Sequence, residues 1–330
     1  MKEIVLLILS LGVILLGAEV FTNAIEWLGR KLKLGEGAVG SIFAAVGTAL
    51  PETIIPVIAI MSHESGGGHD VGIGAILGAP FMLGTLAFFI AGLAVFIFRR
   101  NNKPMLIKPR VMQRDLKFFL IVYSMAILAS FLPSYSLKLV VVAILVGSYI
   151  TYVIQTLRCA HDSADHEEEL PQCHFWRKCS TPPMIVILAQ IAAALLIIII
   201  GAEVFVGSVQ VVASKVGMPV FVLALIITPI ATELPEKFNS VLWLRRRKDT
   251  LAMGNITGAM VFQSSMIPAL GIAFTSWVLE PLALVSALLA LASAGIQYVF
   301  LKRTGTLYPA GLLLGGVFYI IFIFAVFKGF

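Results

Sequence analysis

Thr48-Ala49-Leu50-Pro51-Glu52 returns 184 residues later as Thr232-Glu233-Leu234-Pro235-Glu236. Both copies lie in strongly apolar sequence, where a carboxylate and a proline are each costly. A glutamate buried in hydrocarbon needs a cation or a proton as partner, so its presence marks a functional site. The proline removes an N–H and frees the carbonyl one turn earlier, at Gly47 and at Ala231. A freed oxygen beside a threonine hydroxyl and a carboxylate is hard-cation ligand chemistry. A duplicated pair of interrupted apolar helices is the sequence pattern of a transporter's binding site.

The repetition extends beyond the pentapeptide. Gly17-Ala18-Glu19-Val20-Phe21 recurs as Gly201-Ala202-Glu203-Val204-Phe205, again offset by 184. Gly74-Ala75-Ile76-Leu77-Gly78-Ala79 pairs with Gly254-Asn255-Ile256-Thr257-Gly258-Ala259 at an offset of 180. Three ordered landmarks in register mean two homologous halves.

Hydrophobic residues fill 59% of the 330 positions and charged ones 13%, and the mean hydropathy is +0.98. That composition predicts an all-α polytopic membrane protein whose first partner is the lipid bilayer. The apolar runs divide into about ten spans, at 4–29, 38–62, 71–98, 116–133, 136–157, 183–214, 219–244, 250–277, 280–301 and 307–327. Ten transmembrane helices give two five-helix repeats, over 1–157 and 183–330, joined by a linker at 158–182. Because five is odd, the second copy enters from the opposite side, so the repeats are inverted. The N-terminal apolar run is read as span one rather than a cleaved leader, since basic Arg30-Lys31-Leu32-Lys33 follows it.

Charge orients the chain. Nineteen Lys and Arg fall in the odd-numbered loops, against four (Lys2, Lys138, Lys215 and Lys328) on the other side. The positive-inside rule then places the linker in the cytoplasm and both termini outside. The net charge of +6 is topology rather than a nucleic-acid footprint. No nucleotide-binding loop, GxSxG or HExxH occurs, so the chain is read as a transporter and not an enzyme, with no cofactor. Nothing in the sequence fixes the oligomeric state.

The linker holds all three cysteines, Cys159, Cys173 and Cys179, together with His161, His166 and His174. Their spacing fits no standard zinc pattern. Two readings stand: a solvated linker with free thiols, or a regulatory metal site.

TxLPE in spans two and seven, preceded by GAE and followed in the second half by GNxxG, resembles the cation/Ca2+ antiporter superfamily. Within it the match is to the sodium/calcium exchanger membrane region, whose motif reads GTSLPE and then GNxxGSN. The resemblance spans roughly residues 12–98 and 196–277. It implies alternating access with a sliding gate formed by spans one and six, and Ca2+ exchanged for Na+ (or H+). It assigns Glu52 and Glu236 as Ca2+ or Na+ ligands, with Thr48 and Thr232 lining the same site. Asn255 matches the polar residue of the following helix, and Phe262-Gln263 resembles the Phe-Asn that ends that motif.

The departures are specific. The motif serine is Ala49 in one copy and Glu233 in the other, and the third span has Ala75 and Pro80 where the family has polar residues. The candidate site thus has up to three carboxylates, Glu52, Glu233 and Glu236, which suit one divalent ion or several monovalent ions or protons. Lys237 lies four residues after Glu233, a spacing that permits a pair on one helical face. It is either an internal cation that replaces a bound ion or a plain offset to Glu233. The competing functional classes are an antiporter of another cation pair and a channel-like member of the fold.

Overall fold

The computed structural model describes residues 2–31, 50–61, 68–99, 103–160, 172–176 and 181–328. Among these, every regular element is a helix. In chain order they are α1 (Lys2–Lys31), α2 (Leu50–Met61) and α3, which comprises Gly68–Met82, a π-helical turn Leu83–Ala87 and Phe88–Arg99. Then come α4 (Pro109–Leu128), α5 (Tyr135–Ala160), α6 (Met184–Val216), α7 (Val220–Arg245), α8 (Asp249–Phe274), α9 (Pro281–Thr304) and α10 (Pro309–Phe327). Seven of them, α1, α3, α5, α6, α8, α9 and α10, are long and apolar enough to cross a membrane. The apolar run of α4 is interrupted by Arg114, Asp115 and Lys117, and that of α7 by Glu233, Glu236 and Lys237.

Glycines set several close helix crossings. A Cβ on Gly17 of α1 would lie 2.7 Å from Ile198 Cγ1, and one on Gly201 of α6 would lie 2.9 Å from Ile14 Cγ1. The GAE landmarks therefore let α1 and α6 pack flank to flank, as small residues do in apolar surroundings. Gly78 of α3 is tighter still, since a Cβ there would lie 2.2 Å from the Leu225 carbonyl of α7. Pro229, four residues on, leaves that carbonyl without its helical donor. The sequence pattern predicts an interruption at the second motif, but α7 continues through Pro229 and Pro235 as one helix. Neighbouring helices can hold such a proline-bearing segment helical.

The π turn in α3 has a visible cause. Pro80 lies three residues before it, and Thr85 Oγ1 donates to the Phe81 carbonyl at 2.5 Å. Gly315 of α10 then fits against Thr85, where a Cβ would lie 2.3 Å from the Thr85 carbonyl. The helices are exchanged between halves: α4 and α5 pack on α8, while α9 and α10 pack on α3. Left-handed glycines, Gly217 (φ 71°) and Gly305 (φ 67°), end α6 and α9.

One ion pair locks the basic end of this assembly. Arg99, last residue of α3, donates through Nη1 to Asp249 Oδ2 at 2.9 Å and through Nη2 to Asp249 Oδ1 and to the Leu244 carbonyl. Asp249 is fully buried and also accepts from the Leu106 backbone N–H at 2.8 Å. Removing one partner of a buried pair leaves the other charge uncompensated, at a cost of about 3–5 kcal/mol. Arg99→Met is therefore expected to lower the midpoint of SDS-induced unfolding of the purified protein. An unchanged midpoint would show that the pair contributes nothing to stability.

Candidate cation site

The second motif lies on α7, where polar side chains form a wide buried band. Thr228, Thr232, Glu233, Lys237 and Ser240 are all buried, and Glu233 is completely so. Their spacing puts Glu233, Lys237 and Ser240 on one face, with Thr228 and Thr232 on an adjoining row. Lys237 Nζ lies 3.0 Å from Glu233 Oε2, an i,i+4 pair shielded from solvent. Pro235, between them, does not prevent this pairing, because the helix keeps its turn. Thr232 Oγ1 donates to the Thr228 carbonyl at 3.1 Å. That bond uses its hydrogen and leaves the oxygen lone pairs for a cation.

Asn255 of α8 donates through Nδ2 to Ser240 Oγ at 3.1 Å, tying α8 to the same face of α7. Glu52 in the first turn of the described part of α2 is buried, at 5% exposure. Helix α2 packs against both α7 and α8, so the helices bearing Glu52, Glu233 and Asn255 are neighbours. Glu236 lies on α7 one residue before Lys237, but its side chain is outside the described structure, as is Thr48 entirely.

Several polar groups went unread in the sequence. Asp115 of α4 is buried and accepts from Arg114 Nε at 3.1 Å and Nη2 at 3.0 Å, from Tyr152 at 3.0 Å and from Thr257 of α8 at 2.9 Å. The signal is a lone acid among the basic and apolar residues of α4, Arg114-Asp115-Leu116-Lys117. Thr257 lies inside the GNITGA landmark itself. Thr228 and Ser240 each lie one to two turns from the motif, within reach of a search for helical polar rows.

The linker cluster divides. Cys173 is buried, and its thiol lies 3.1 Å from Gln190 Oε1. The Gln190 amide also accepts from the Phe175 N–H and donates to Asn23 Oδ1 and to the Val20 carbonyl. The His174 N–H donates to Asn23 Oδ1, and Asn23 Nδ2 to the Gln172 carbonyl. Residues 172–176 are thus fastened across α1 and α6, the pair expected to form the gate. Among the described residues no group of three or more His, Cys, Asp or Glu could hold a metal. The Cys159 side chain, His161, His166 and Cys179 lie outside the described residues.

The sequence profile described as sodium/calcium exchanger protein matches residues 2–157 and 186–328, nearly the whole chain. The chain belongs to the sodium/calcium exchanger protein family. It is a membrane transporter of that family, with several apolar membrane-crossing helices. Inner membrane protein YrbG of Escherichia coli (strain K12) is 26% identical over 290 residues, covering 84% of this chain and 82% of that protein. The crystal structure of the H+/Ca2+ exchanger CAX matches with a TM-score of 0.72 at 15% identity, over 98% of this chain and 82% of that one. The sodium-calcium exchanger NCX_Mj matches with a TM-score of 0.59 at 20% identity, over 98% of both chains. These two structural likenesses establish the exchanger fold; the two proteins they come from differ in counter-ion.

Proposed function

We propose that this chain is a secondary antiporter that moves Ca2+ against a counter-flow of Na+ by alternating access. The observation that carries this reading is the buried Glu233–Lys237 pair. Of the three motif carboxylates, one is already matched by a resident ammonium. Glu52 and Glu236 then supply two negative charges from opposite halves, the formal complement of one divalent ion. Thr48, Thr232 and the carbonyl freed by Pro235 complete a hard-oxygen set of the kind Ca2+ prefers. The inverted five-helix repeats over 1–157 and 183–330, ten transmembrane helices in all, bring these ligands to the midplane. The exchange of α4 and α5 for α9 and α10 between the halves supports that symmetry.

A second reading replaces Na+ with H+. It is favoured by Ala49 and Glu233 standing where the family has hydroxyl-bearing serines, which removes neutral oxygen ligands for a monovalent metal ion. Proteoliposomes with imposed Na+ or pH gradients separate the two. Outward Na+ gradients should drive 45Ca2+ uptake under the first reading; uptake driven by pH gradients alone selects the second. Uptake driven by neither gradient would reject both.

The cytoplasmic linker and external termini follow from the nineteen-to-four charge asymmetry. Cys173 cannot report this orientation, because burial hides it from reagent on either side. Exposed positions can. On a background with the three native cysteines replaced by serine, Lys215→Cys should react with an impermeant maleimide on intact cells and Arg246→Cys should not. The opposite pattern would invert the topology.

A further inference from the structure

One cavity lies apart from the residues of the two motifs. It is a groove of about 600 Å3 between α4 and α5, within the size range of small-molecule sites. Arg114, Lys117, Ser148, Thr151 and Gln155 line it together with apolar residues, among them Phe118, Ile121 and Ile144. Among the described residues no acidic side chain lines it. Arg114 is half committed, since its guanidinium bonds Asp115 and lies over the Tyr152 ring at 4.7 Å. Lys117 is exposed and makes no salt bridge among the described residues. Arg114 and Lys117 are one helical turn apart, and Ile121 continues the same row toward the apolar part of α4.

Basic charge at one end, hydroxyl and amide groups beside it and an aliphatic floor beyond form a graded surface. That sequence of chemistries matches the phosphate, ester region and acyl chain of a phospholipid, and basic pockets between transmembrane helices bind anionic headgroups. We propose that the α4–α5 groove is a binding site for one anionic phospholipid. The phosphate faces Lys117 and Arg114, and an acyl chain follows Ile121 and Ile144. The site reports to the transport helices through a short chain of contacts. Arg114 bonds Asp115, whose other carboxylate oxygen holds Thr257 of α8, two residues from Asn255.

Native mass spectrometry of the detergent-purified protein, titrated with phosphatidylglycerol or phosphatidylcholine, tests this directly. The wild type should retain one phosphatidylglycerol in preference to phosphatidylcholine. Lys117→Gln should lower phosphatidylglycerol occupancy about fivefold, the effect of one basic residue near an anionic surface, and leave phosphatidylcholine unchanged. Gly147→Leu fills the groove wall, and a Cβ at Gly147 meets no described atom within 4 Å, so the variant should fold. It should reduce retention of both lipids. Arg303→Gln, exposed on α9 and not among the residues that line the groove, serves as the control and should bind like the wild type. Equal loss in Lys117→Gln and Arg303→Gln would reduce the effect to bulk charge and overturn the site. Displacement of the lipid by millimolar inorganic phosphate would show a free-anion site instead, and would also overturn it. Should Gly147→Leu fail to fold, the Lys117→Gln comparison decides alone.

Discussion

Glu52→Gln and Glu236→Gln are each expected to reduce Ca2+ exchange by on the order of fiftyfold or more, while the protein still inserts and folds. A carboxylate oxygen sits ~2.4 Å from bound Ca2+, where its half charge against the doubly charged ion contributes roughly 7 kcal/mol at an effective dielectric near 20. The resulting desolvation of the carboxylate offsets much of this. A surviving third, about 2.3 kcal/mol, still corresponds to roughly fiftyfold. Glutamine keeps the shape and one oxygen, so the loss isolates charge. The check is 45Ca2+ flux per correctly reconstituted protein, with monodispersity measured alongside. Normal flux in both variants would place the cation site elsewhere.

The second large effect concerns the buried pair on α7. Lys237→Gln takes the ammonium from the Glu233 carboxylate at a fully buried position, and Glu233→Gln takes the carboxylate from the Lys237 ammonium. Each single variant is expected to lose about 3–5 kcal/mol of stability. The Lys237→Gln protein has an alternative, which is to admit one monovalent cation beside Glu233. Its thermal midpoint should therefore rise with added Na+ more steeply than that of the wild type. The double variant Glu233→Gln/Lys237→Gln removes both charges together, so it should recover most of the stability and retain Ca2+ exchange. Loss of Ca2+ exchange in a well-folded double variant would make Glu233 a Ca2+ ligand rather than one half of a neutral pair.

The membrane class and the exchanger family were legible because their signals are strong and local. Two LPE motifs at a common offset from two GAE motifs leave little room for other architectures. Of the glycines at 12, 17, 201, 207, 254 and 258, all candidates for close helix approach, only Gly17 and Gly201 meet another helix, each against an isoleucine of the other's, while the remaining four have no described atom within 4 Å. The Glu233–Lys237 pair could be posed but not decided, because Pro235 makes helical spacing ambiguous. Only the continuity of α7 resolves it. The Asp115 network was invisible for a different reason: its partners come from α4, α5 and α8, separated by as many as 142 residues. Single-sequence patterns describe neighbours along a helix and not across three of them. Cys173 shows the same limit. Grouped by composition with metal-ligating residues, its thiol instead packs against Gln190 in a polar knot between α1 and α6.

Alternating access at a site containing Glu52 predicts a behaviour that neither a channel nor an inert relative can show. Proteoliposomes loaded with unlabelled Ca2+ and diluted into trace 45Ca2+, with no Na+ or pH gradient and with the membrane potential clamped at zero by equal K+ and valinomycin, should accumulate label transiently above equilibrium. Each outward-moving Ca2+ returns the site to the outside and carries a labelled ion back. This counterflow holds whether the physiological counter-ion is Na+ or H+, and Glu52→Gln should abolish it. Label that only equilibrates, or counterflow equal in wild type and Glu52→Gln, would contradict exchange at this site.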